Sequence, residues 1–264
     1  MTMAITRRMS STTQVTWPYK ENRRVYIIIK KPFSMGLVTR LYLIRHAQSE
    51  DNVNQVISGH RQTPLTSLGH KQARSLSWRI QWVPIDVLVS SDLPRAVQTV
   101  DYLRSVLGKK KCVYDARLRE QSLGEHEGME YGSEWMSRGS QGIDFTPVGG
   151  ESESTQREKI RECLYDLFDN YSGRRVAIVT HNDVLKYAVP WLTGTEHTAR
   201  PHRNTALSVL DINWIGHGTI HMLADTRHLQ WSHIQATFRG WYEATHLFPH
   251  SGIRGAFRAM KQIE

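Results

Sequence analysis

Cysteine is scarce: Cys112 and Cys163 are the only two in 264 residues. Two thiols are too few for a disulfide framework, and they lack the paired spacing of a metal knuckle. A reducing compartment, the cytoplasm by default, is the expected location. Long apolar runs are also lacking. No stretch approaches the ~20 apolar residues of a membrane-spanning helix, so no membrane association is expected. Acid is scarce at the start of the chain. Residues 1–38 hold seven Lys or Arg and one acid, a balance of +6 against +9 for the whole chain. The remaining 226 residues therefore carry only +3. Charge confined to one end argues against a basic surface built for nucleic acid.

Residues 1–38 read as a separate basic extension, and residues 39–264 as one domain. The first nineteen residues contain two arginines, several Ser and Thr, and no acid. That composition fits a mitochondrial transit peptide, which makes a mitochondrial address the alternative location. A disordered basic tail fits it as well. So does a start upstream of the true one, since Met35 and Gly36 precede the first strand.

What is there begins at Leu41. Leu41–Ile44 is a short apolar run that stops at Arg45 and His46. Such a run fits a buried parallel strand, and ligands in open α/β sheets sit beyond the carboxyl ends of the strands. Ser58–Pro64 reads as a polar loop, and Thr66 as the cap of a helix with Leu68, Ala73, Leu76 and Ile80 as its apolar positions. Ile85–Val89 predicts a second strand, followed by a helix with Asp92 as its cap, Pro94 and Arg95 in its first turn, and Gly108 as its stop. A short strand is expected around Cys112–Tyr114, then a polar loop over 118–128. Residues 129–150 read as an excursion over the site, in which Trp135, Met136 and Phe145 either floor a pocket or pack as core. A helix over 151–171, a strand over 175–180 ending at His181, and a helix over 183–192 follow. A two-strand ribbon over 205–214 and 218–224, then a helix around 228–243, complete the reading. Strands alternating with helices predict a single three-layer, doubly wound α/β domain with a mostly parallel central sheet.

Three strands thus end in polar groups: Arg45 and His46, the Ser90–Arg95 turn, and Thr180 with His181. A loop adds Glu120. Two arginines suit bidentate phosphate recognition, an imidazole can attack phosphorus, and a protonated carboxylic acid can supply a leaving group with its proton. Arginines can neutralise phosphoryl charge where other enzymes use a metal. The histidine-rich end, with His217, His221, His228, His233, His246 and His250, offers no metal-binding pattern: His217 and His221 fall on a turn and a strand, without a carboxylate-rich partner motif. Neither a metal nor another cofactor is expected.

Arg45-His46-Ala47-Gln48-Ser49, followed by Asn52, resembles the Arg-His-Gly signature of the histidine phosphatase superfamily, in its phosphoglycerate mutase-like branch. Five further motifs follow in that family's order: Pro64–Ala73, Ser90–Thr99, Leu118–Gly128, Gly149–Ser152 and Val179–His181. The resemblance covers residues 39–212, and Ala47 replaces the usual glycine. It implies that His46 is the nucleophile that becomes phosphohistidine, that Glu120 is the general acid, and that His181 acts with them. Arg45, Arg95, Asn52 and, more weakly, Ser58 are implied as phosphate contacts; Glu127 is the runner-up acid, with a structural role in holding its loop preferred. The implied partner is a small phosphorylated substrate; the sequence sets no oligomeric state. Glu120 and His181 are separated by only 61 positions, and the segment after Glu120 is acidic rather than basic. That favours a phosphatase over a mutase. Mutase-type transfer, and a non-catalytic binding protein on the same fold, remain the alternatives.

Overall fold

The apolar run that opens the domain forms strand β1, Thr39–Arg45, in the interior of a six-stranded sheet. A computed structural model describes residues 37–130, 144–195, 201–213 and 216–230. After β1 the chain makes a short helix, α1 (Glu50–Asn54), closed at its start by a reciprocal Ser49–Asn52 capping box. Helix α2 (Ser67–Ile80) starts at Thr66, whose hydroxyl accepts from Gly69 N–H at 2.9 Å. Then follow β2 (Val87–Ser90), α3 (Pro94–Val106), β3 (Cys112–Tyr114), α4 (Glu153–Tyr171), β4 (Arg175–Thr180), α5 (Asn182–Thr193), β5 (Leu207–Ile212) and β6 (Gly218–Asp225).

The strand order is β3-β2-β4-β1-β5-β6. Strands β3, β2, β4 and β1 pair in parallel, β5 runs antiparallel to β1, and β6 antiparallel to β5. The expected mostly parallel α/β sheet is thus present, with the expected ribbon as its antiparallel edge. Successive residues of a strand face opposite sides, so each strand feeds two cores. Leu41, Leu43, Val176 and Ile178 pack with Ile160, Leu164, Leu185 and Val189 of α4 and α5. Tyr42, Ile44, Ala177 and Val179 pack with Leu76, Ile80, Val100 and Leu103 of α2 and α3. Helices therefore cover both faces, giving three layers.

One local expectation changes and one open alternative is resolved. Asp92 does not cap α3; the cap position is Leu93, with no side-chain cap bond. The Asp92 carboxylate instead takes a two-point ion pair from Arg119, at 2.6 and 2.5 Å, which a guanidinium fork satisfies better than one helix N–H would. Phe145 is core rather than pocket floor: it is buried with Ile57 and Leu123. Trp135, Met136, His233, His246, His250 and most of the helix expected around 228–243 lie outside the described residues. No helix among the described residues is long and apolar enough to cross a membrane.

Candidate active site

Parallel register brings three strand ends into one line. His46 N–H donates to the Thr180 carbonyl, and Ser91 N–H donates to the Val179 carbonyl, both at 2.9 Å. The turns after β1, β2 and β4 therefore open on one crevice, as adjacent carboxyl ends do. Inside it the rings of His46 and His181 lie with centroids 5.0 Å apart, tilted by 57°.

The state of His46 follows from one contact. Its Nδ1 lies 2.7 Å from the Ala47 carbonyl. A carbonyl only accepts, so Nδ1 carries the proton and Nε2 keeps a lone pair. Burial, then Arg95 and Arg45, hold the pKa of His46 well below the usual imidazole range, and the Ala47 bond opposes them only in part. The ring is neutral near pH 7. Ala47 itself is fully buried, with its N–H held by Thr99 Oγ1 at 3.0 Å, so the extra methyl is accommodated.

His181 is fully buried at the start of α5. Its Nε2 lies 2.9 Å from Ser91 Oγ, and that oxygen already accepts from Leu93 N–H at 3.3 Å. Among the described residues Nε2 is the one acceptor within reach of the Ser91 hydroxyl proton, so the serine donates to Nε2. Nδ1 then carries the ring proton, and this buried atom has no protein partner. Burial, followed by Arg95 and His46, lowers the pKa of His181 as well. A neutral ring with an unspent N–H is a donor for an incoming anion.

Two guanidiniums flank the imidazoles. Arg95 is 1% exposed although charged. Its Nη1 donates to the Arg61 carbonyl at 3.0 Å and its Nη2 to the Gly59 carbonyl at 2.8 Å, while buried Nε has no protein partner. Loop 59–61 therefore fixes the plane of the side chain. Arg45 Nη1 donates to the His202 carbonyl at 2.6 Å. Burial pulls Arg95 down to about 10, so it stays cationic at neutral pH.

Glu120 follows a short helical turn, Ala116–Leu118. Its Oε1 accepts from Asp183 N–H at 3.2 Å. Burial and then the Asp183 charge push its pKa up to about 8, against the pull of Arg95 and Arg45. The carboxyl group is therefore mostly protonated at pH 7. Asn52 lies on α1 with Oδ1 accepting from Ser49 N–H at 3.2 Å and from Asn204 Nδ2 at 3.0 Å, so Nδ2 is the group it can offer a ligand. Ser58 is half-buried beside Gly59, and its carbonyl accepts from Arg61 N–H at 2.9 Å; no contact ties its hydroxyl to the other site residues. Glu127 Oε1 accepts from Ser122 Oγ and Leu123 N–H at 3.1 and 3.0 Å, which ties down its loop.

Two residues of this region escape sequence reading. His60 Nε2 donates to the Glu120 carbonyl at 2.9 Å and so links the 58–64 loop to the acid. Asn204 Nδ2 donates to the His46 carbonyl at 3.2 Å from a position 158 residues away. Only the capping pattern Ser49-x-x-Asn52 carried a readable signal for α1. Among the described residues no group of three or more His, Cys, Asp or Glu is placed to hold a metal. His221 is bonded to Asp211 on the ribbon, and His228 lies between Arg79 and Thr205.

Comparison with known proteins bears on the family and the fold. Residues 41–226 match the family model of the histidine phosphatase superfamily (branch 1). The chain is 26% identical over 200 residues to phosphoglycerate mutase-like protein 4 of Arabidopsis thaliana, covering 72% of this chain and 86% of that one. It is 28% identical over 185 residues to the broad-specificity phosphatase YOR283W of Saccharomyces cerevisiae, covering 66% and 80%. Among solved structures, Bacillus stearothermophilus YhfR superposes with a TM-score of 0.64 at 26% identity, over 72% of this chain and 99% of that one. The phosphoglycerate mutase-like α/β fold and the phosphatase activity expected from the sequence are both borne out. The chain belongs to the histidine phosphatase superfamily, branch 1.

Proposed function

We propose that this phosphatase hydrolyses a small phosphomonoester by transferring the phosphoryl group to His46 Nε2 and then to water. The observation that carries this reading is the bond from His46 Nδ1 to the Ala47 carbonyl. It leaves the Nε2 lone pair as the one nucleophilic position of a neutral, buried imidazole.

The surrounding groups have matching roles. Arg45, Arg95, Asn52 Nδ2 and His181 Nδ1–H are donors for the three non-bridging oxygens, whose charge grows towards the transition state. Ser58 is a weaker contact. As the P–O bond breaks, Glu120 gives its proton to the leaving oxygen. The resulting carboxylate then accepts a proton from the water that attacks phosphorus, and His46 returns to its starting state. Residues 121–128 carry two acids and no Lys or Arg, which favours water over an acidic second substrate as acceptor.

The test is hydrolysis of a phosphomonoester panel in a chelator, beside His46→Ala. Activity that survives the chelator and is lost in H46A supports the reading, as does acid-labile phosphate on the wild type alone. Activity retained in H46A refutes it. Turnover that needs a bisphosphate primer and yields an isomer instead of free phosphate would identify a mutase.

A further inference from the structure

The loop after α5 grips the turn that carries the nucleophile. Arg45 N–H donates to the Ala206 carbonyl at 3.2 Å, and Thr205 N–H is shared between the Arg45 and His46 carbonyls at 3.1 and 3.2 Å. Asn204 Nδ2 adds its bond to the His46 carbonyl at 3.2 Å. Three consecutive residues thus hold the backbone from which the His46 ring projects.

Thr205 is the unusual member. Its φ is +58°, in the left-handed region that a β-branched residue enters only at a cost. Something outside the loop has to hold it there. Its hydroxyl donates to the Asn204 carbonyl at 2.7 Å and contacts His228 Nε2 at 2.9 Å. His228 is fully buried, and its Nδ1 lies 3.0 Å from Arg79 Nη1. A guanidinium only donates, so Nδ1 is the acceptor and Nε2–H must donate to Thr205. Arg79, 3% exposed on α2, is anchored in turn by Asp225 at 2.7 Å. Every donor and acceptor in this chain is thereby assigned, from the end of β6 to the turn that holds His46. The mechanism above uses none of these four residues.

We infer that Thr205, held in its left-handed conformation by His228, is a positioning residue for the nucleophile His46. This assignment rests on His46 being the attacking group. With the hydroxyl removed, the φ of Thr205 relaxes and its N–H leaves the Arg45 and His46 carbonyls. The imidazole then samples directions in which Nε2 no longer lines up with phosphorus. Ground-state phosphate binding draws on several side chains, so the loss falls on turnover more than on affinity.

Thr205→Val keeps the shape and removes the hydroxyl; Thr205→Ser keeps the hydroxyl. The kcat and KM for p-nitrophenyl phosphate, the acid-labile phosphate trapped on quenching, and the melting temperature are measured for both and for the wild type. In T205V, kcat and the rate of phosphoenzyme formation fall about tenfold, KM stays within about twofold, and the protein remains folded at the assay temperature. T205S retains at least about half of the wild-type kcat, since its hydroxyl occupies the same place in the chain of bonds. Wild-type kcat in T205V overturns the inference, and so does an equal loss in T205S. If T205V does not fold, His228→Gln is read instead, and an unchanged kcat there overturns it. A wild-type protein without phosphatase activity refutes the phosphohistidine reading itself; an active wild type with an unimpaired T205V refutes only the role of Thr205.

Discussion

The backbone N–H of Asp183 donates to Oε1 of Glu120 at 3.2 Å, so the first turn of α5 places a second carboxylate beside the proposed general acid. Burial and the Asp183 charge push Glu120 up to about 8, while Arg95 and Arg45 pull the other way. Activity is therefore expected to hold through neutral pH and to decline as pH rises through about 8, where the acid loses its proton. Glu120→Gln should lower kcat by on the order of 10²–10⁴ and flatten that alkaline limb. An unchanged limb in the variant's pH–rate profile would place the acid elsewhere. The folded state also holds this proton more tightly than the unfolded chain. Its contribution to stability is thus full below the ordinary carboxyl pKa of 4.5 and is lost as pH rises through about 8.

Asp183→Asn separates the charge of that residue from its backbone bond. The amide N–H still holds Glu120 Oε1, but the like charge is gone. The alkaline limb should move to lower pH while the plateau rate changes little. A limb that stays in place, or moves up, would show that burial alone sets the acid.

Gly59 shows how tightly the loop around Arg95 is built. Its φ is +43°, and an added Cβ would sit 2.2 Å from Glu127 Oε1. That oxygen is already committed to Ser122 and Leu123, and the Gly59 carbonyl holds Arg95 Nη2 at 2.8 Å. Gly59→Ala should shift the guanidinium and reduce kcat/KM by on the order of 10²-fold, as small misplacements of binding groups do. Wild-type kcat/KM in G59A would mean that the loop adjusts without moving Arg95.

Asp225→Ala removes the partner of a buried cation. Arg79 is 3% exposed and its pKa is already lowered by burial, with Asp225 as the main opposing influence. Breaking a buried pair from one side costs about 3–5 kcal/mol. The urea midpoint should fall accordingly. A shift worth less than about 1 kcal/mol would show that water reaches Arg79 once the carboxylate is gone.

Much of this was legible in the chain itself. The apolar runs of β1, β2 and β4, the cap at Thr66, and the alternation of strand with helix follow from local spacing and cap chemistry, which nearby residues set. Arg45, His46, Arg95, Glu120 and His181 could be singled out because strand ends in such a sheet share one side, and because their motifs come in a family's order. What only tertiary structure decided is the state of those groups and the parts that hold them. The proton position on His46 depends on where the Ala47 carbonyl points, and the raised pKa of Glu120 on burial beside Asp183. Asp92 turned from a helix cap to an ion pair because Arg119, 27 residues on, came within reach. Asn204, Thr205, His228 and Arg79 converge from the segment after β6, from α2 and from the loop before β5. Their contacts span up to 158 residues, and no local pattern encodes a hydrogen bond closed over such a separation.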